Sequence, residues 1–138
     1  ALASPEPRRR EAVREVVVAE QLQRMMLSDG AVLEFEDLRL QQAAEPDPGK
    51  AEAILDRMET ILQEEIARTE RALLAASRDS RLGFQFEQDY VYTPYSLREK
   101  LEHLRETAET HLPERRRELS AARQLVPEAV TTDSGQGR

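Results

Sequence analysis

Five of the six aromatic residues of this chain, Phe84, Phe86, Tyr90, Tyr92 and Tyr95, fall within twelve positions; the sixth is Phe35, and there is no tryptophan. Ring faces and phenol hydroxyls gathered in this way suit gripping a sugar or a neighbouring polypeptide. Asp79 and Arg81 stand just ahead of them, a carboxylate and a guanidinium able to brace such a segment by hydrogen bonds. Phe84, Phe86, Tyr90 and Tyr92 all occupy even positions. In extended chain that puts them on one face, with Gln85, Glu87 and Val91 on the other. Two readings follow. The rings fill the gap at one end of a helical bundle, or they form a binding surface for a sugar or a neighbouring domain.

Other chemistry is thin. The histidines, His103 and His111, have Lys100 and Ala108 three residues before them, so the Glu-x-x-His motif of di-metal bundles is absent. Glu99 and His103 lie one helical turn apart and could share a metal, but a surface pair at that spacing is far commoner. The five glycines do not cluster into a phosphate-binding loop. Neither histidine sits in a pocket-forming stretch that would suit a Ser-His-Asp triad. The many carboxylates nominate no glycosidase acid and nucleophile. No catalytic residue, metal or cofactor is assigned.

Composition narrows the classes further. With 34% charged and 4% aromatic residues, the 138-residue chain suits a single domain of long amphipathic helices with an aliphatic core. A formal net charge of −7 repels phosphate backbones. The runs Arg8-Arg9-Arg10 and Arg115-Arg116-Arg117 are flanked by glutamates and read as solvated helix faces, so no nucleic-acid partner is expected. Absence of cysteine excludes disulfides and thiolate metal sites. No apolar run approaches the ~20 residues that span a bilayer, and no membrane partner is expected. The chain opens on Ala1 without a signal-peptide pattern, and it is expected to be a fragment of a longer protein.

The elements that must position the aromatic segment are helical. Apolar spacing predicts helices over about 7–27, 32–44, 48–77 and 94–125, with Ser28-Asp29-Gly30 as a break, a connector over 78–93 and a frayed tail over 127–138. Asp47-Pro48 and Thr93-Pro94 each place a capping side chain before a first-turn proline. Pro113 inside the last segment marks a kink or a fresh helix. The predicted fold is all-α: an antiparallel bundle of three to four long helices with an aromatic-rich extended connector. Connectors of this length without helix are usually functional or disordered, and disorder avoids aromatics.

One stretch carries a resemblance. Glu64-Glu65-Ile66-Ala67-Arg68-Thr69-Glu70, then Asp79-Ser80-Arg81-Leu82-Gly83-Phe84-Gln85 and Tyr90, resembles a segment of large multidomain bacterial proteins related to α-glucuronidase-like glycoside hydrolases. It covers about residues 50–105. In those proteins an all-helical region follows a catalytic-type barrel, and the reaction belongs to the barrel. The resemblance therefore implies a non-catalytic helical module of a carbohydrate-active protein. By that resemblance Asp79, Arg81 and Tyr90 would brace the aromatic strap or face the barrel; the sequence departs from the pattern at Tyr92-Thr93-Pro94, and Phe84, Phe86 and Tyr92 are contact candidates on their ring chemistry alone. The implied partner is a barrel domain of the parent protein or a carbohydrate. The residues by themselves equally support a stand-alone helical protein–protein interaction module.

Overall fold

The computed structural model describes residues 6–79, 82 and 92–125, and among them the regular structure is entirely helical. Helix α1 spans Glu6–Ala44, α2 Pro48–Arg78, α3 Pro94–Glu106 and α4 Leu112–Leu125. A π-turn, Thr107–His111, joins α3 to α4 with helical backbone at both of its ends, so that α3 and α4 form one rod. Three long rods pack together. Glu34 pairs with Arg57 and Ser28 with Glu65, so α1 and α2 run antiparallel; Glu65 pairs with Lys100 and Asp56 with Arg116, so the third rod runs antiparallel to α2.

Both expected caps form. The Asp47 carboxylate accepts from the backbone N–H of Gly49 at 2.8 Å and of Lys50 at 3.0 Å, with Pro48 in the first turn. Those two bonds, Lys50's first, hold its carboxyl below the usual carboxylate range. Thr93 Oγ1 accepts from the N–H of Ser96 at 3.1 Å, again ahead of a proline.

One sequence expectation is corrected. The predicted break at Ser28-Asp29-Gly30 does not exist, and the helices expected over 7–27 and 32–44 are one. Turn-forming residues favour a break only where their side chains satisfy the local backbone. Ser28 instead turns inward and donates to Glu65, 37 residues away. Gly30 keeps helical backbone, and a Cβ added there would meet nothing within 4 Å. Gly30→Ala should therefore raise unfolding free energy by roughly 0.5–1 kcal/mol, read by urea titration, since alanine loses less backbone entropy in a helix interior. Pro113 falls in the first turn of α4, one of the two places its sequence reading allows, directly after the π-turn. Leu112 N–H reaches back five residues to the carbonyl of Thr107. The wider turn directly ahead of Pro113 relieves the clash its ring would make with the preceding turn.

The core is unevenly shared. Its main cluster is Leu55, Met58 and Leu62 of α2 with Leu112 of α4, flanked by Phe35 and Leu38 of α1. A smaller one joins Ala72 and Ala76 of α2 to Leu97 of α3. Among the described side chains of α1 none that is apolar is fully buried: the buried ones are Gln21, Ser28 and Gln42. Polar contacts fix α1 onto the other two rods, including Arg115 Nε to Gln42 Oε1 at 3.0 Å. The predicted tail over 127–138 and most of the predicted connector, with Arg81, Phe84, Phe86 and Tyr90, lie outside the described residues.

Candidate functional site

The most connected group of polar side chains lies where all three rods meet. Glu65 projects from α2 between Leu62 and Thr69, positions of the inward stripe, so its carboxylate is drawn inside with them. Ser28 comes from α1 and Lys100 from α3. Ser28 Oγ donates to Glu65 Oε1 at 2.6 Å. Lys100 Nζ donates to the same oxygen and to Ser28 Oγ, each at 2.6 Å. Arg68 binds the other carboxylate oxygen, and Thr69 Oγ1 lies 3.4 Å from the first. Burial pushes the Glu65 carboxyl up; hydrogen bonds from Lys100 and Ser28, with the charges of Lys100 and Arg68, outweigh it and hold the group below its ordinary range.

This arrangement locks rather than reacts. A carboxylate held ionised has no proton to give, and both of its oxygens accept from donors of the bundle itself. Beside it an apolar cleft of about 300 Å³ opens between Val32 and Phe35 of α1, Ile61 of α2, Leu104 of α3 and Thr107 of the π-turn. Among the described residues no three His, Asp or Glu side chains gather closely enough to hold a metal ion.

Of the predicted site residues, Asp79 and Tyr92 lie among the described positions. Tyr92 is half-buried against the Ala72, Ala76 and Leu97 cluster, and Lys100 Nζ sits 5.9 Å from its ring centroid, within cation–π range. The ring thus packs beside the Glu65 cluster. Asp79 caps the end of α2, donating its backbone N–H to Ala75 O and accepting the N–H of Leu82 at 3.1 Å. Tyr95 is exposed, as are Glu99 and His103. Sequence reasoning missed Ser28 and Lys100 as inward groups. Ser28 lies seven residues before Phe35 on the same face, and Lys100 borders the Leu97–Leu101–Leu104 stripe, so the spacing carried the signal once α1 is continuous.

A second feature lies on the opposite side of α1. Leu22, Met26, Leu33 and Leu40 are 53%, 75%, 73% and 57% exposed. At 100° per residue they fall within about 40° of one another. The inward face is centred on Ser28 and Phe35, so α1 is apolar on two sides and buries one. Among the described residues no helix is long and apolar enough to cross a membrane. Comparison with protein-family models, with curated proteins and with solved structures finds no match.

Proposed function

We propose that this chain is a non-catalytic helical module that binds another polypeptide along the outer face of α1. The observation carrying the proposal is the exposed Leu22–Met26–Leu33–Leu40 stripe. A soluble surface rarely keeps large apolar side chains aligned unless a partner covers them. Spacings of four, seven and seven residues suit a helix or helical groove as that partner. Asp29 and Glu36 interrupt the stripe, so the partner's matching positions are basic. The Glu65 cluster gives the module its second requirement, a rigid scaffold that fixes α1 through a charge-assisted bond to each of the other rods.

A barrel domain of a carbohydrate-active parent chain, the partner that the resemblance implies, would be one such polypeptide. The packing of Tyr92 gives no reason to prefer a sugar over it.

The test places a photo-crosslinking residue at position 33, on the outer stripe, and a control at the exposed position 102. Discrete protein adducts from 33, absent from 102 and lost on Leu22→Ser with Met26→Ser, are expected. The same adduct pattern from both positions, or none from 33, would refute the reading.

A further inference from the structure

The N-terminal half of α1 and the C-terminal half of α2 leave a groove along one side of their seam. It has a volume of about 800 Å³ and is floored by Val13, Val17 and Leu74. It continues past Leu27 alongside Gln63 and Ala67. The small α2 residues Ala67 and Ala75, with α1 burying Gln21 instead of a large apolar side chain, leave this space unfilled. Its walls carry four arginines, Arg14, Arg24, Arg71 and Arg78, against two carboxylates, Glu20 and Asp79. Arg24 is paired with Glu20 at 2.7 Å. Among the described residues Arg14, Arg71 and Arg78 have no ion pair or side-chain hydrogen bond. A chain of net charge −7 thus carries a concave, apolar-floored surface with three uncommitted cations.

Such a groove fits an acidic amphipathic helix rather than a phosphate backbone, which has no use for the aliphatic floor. The chain itself displays one. From Asp29 to Ala44, α1 has four acidic residues, Asp29, Glu34, Glu36 and Asp37, against one basic residue, Arg39. On its outer face Leu33 and Leu40 stand beside Asp29, Glu36 and Asp37. Asp29 has no ion pair among the described residues. At the α-helical rise the stripe from Leu22 to Leu40 is about 27 Å long and the groove from Val13 to Leu27 about 21 Å. The groove joins an aliphatic floor to a surplus of arginine, and the stripe joins leucines to neighbouring carboxylates.

We infer that the partner of the outer stripe is the arginine-lined groove of a second copy of this chain. This rests on the proposed function and names its partner. The two surfaces differ, so the contact is heterologous, and repeated contacts build an open chain or a ring rather than a closed two-fold dimer. Salt weakens it, because the arginines and the carboxylates lie at a wet rim.

Complementation tests it. Arg71→Glu with Arg78→Glu blocks the groove and leaves the stripe; Leu33→Glu with Leu40→Glu blocks the stripe and leaves the groove. All four side chains are exposed, and circular dichroism checks that each variant remains helical. By sedimentation the unaltered chain is expected to grow in mass with concentration, and each variant to stay monomeric. An equimolar mixture of the two variants is expected to form a one-to-one dimer, since one intact groove then meets one intact stripe. Milder variants, Arg71→Gln with Arg78→Gln and Leu33→Ser with Leu40→Ser, are expected to reproduce this should the reversals fail to fold. A monomeric wild type at every concentration, or a mixture that stays monomeric, overturns the inference. Crosslinking from position 33 to a different protein would in that case leave the proposed function standing. Groove binding of an oligonucleotide that the arginine variants abolish, without self-assembly, also overturns it.

Discussion

Lys100→Met is expected to lower the free energy of unfolding by about 2–3 kcal/mol, less than the 3–5 kcal/mol typical of breaking a buried pair because Arg68 still faces Glu65. The change takes a 27%-exposed cation away from a 5%-exposed carboxylate and also removes a donor from Ser28. Urea unfolding measures the loss. The double variant Glu65→Leu with Lys100→Met should recover most of it, since an apolar pair of similar volume carries no desolvation penalty. If the double variant is no better than Lys100→Met alone, the cost arose from packing of the Lys100 stem and not from a stranded charge.

The same cluster sets a pH dependence of known sign. The Glu65 carboxyl titrates below its ordinary range in the folded chain, because the donors from Lys100 and Ser28 outweigh the effect of burial. The unfolded chain therefore takes up this proton first as pH falls. The stabilisation is complete above the unfolded value, roughly pH 4, and is lost as pH drops through the lower folded value. Glu65→Gln carries no such proton. Between pH 7 and pH 3 the wild type should lose more stability than the variant; equal losses would assign the acid sensitivity to other carboxylates.

Much of this architecture is written in local signals. Asp47-Pro48 and Thr93-Pro94 are read correctly because a cap is satisfied by its own helix within three residues. The stripe through Leu55, Met58 and Leu62 is legible for a similar reason: one helix carries the entire pattern. Ser28-Asp29-Gly30 misleads because what decides its conformation is Glu65, a partner distant in sequence. A local reading credits Ser28 with a turn, whereas a buried acceptor and an open site for Gly30 favour helix. Pro113 is legible as a disturbance but not as a π-turn, since the widening depends on how the whole rod sits on α2. The aromatic strap drew attention through composition, which marks unusual residues without locating them. Of its named site residues, Asp79 and Tyr92 fall among the described positions, one capping α2 and the other packing on Leu97. The groove arginines carried no motif at all: Arg14, Arg71 and Arg78 become neighbours only when two helices are laid antiparallel.

Two leucines of the same size distinguish the bundle from the surface proposed to serve it. Leu55 is 1% exposed at the centre of the main cluster, enclosed by Met58, Leu62 and Leu112. Leu55→Ala should cost about 3–5 kcal/mol, because three long rods cannot collapse onto a mid-helix void without breaking the ion pairs on either side. Leu33 is 73% exposed on the outer face of α1. Leu33→Ala should change the unfolding free energy by no more than about 0.5 kcal/mol, as expected of a surface position without a partner in its own chain. Both are read from urea titrations at a concentration low enough to keep the chain monomeric. The contrast should invert in self-association, where Leu33→Ala weakens assembly while Leu55→Ala, under conditions where it remains folded, leaves assembly unaltered. A large stability loss from Leu33→Ala at monomeric concentrations would mean that the outer stripe is already covered within the chain, and the surface argued to recruit a partner would not be free to do so.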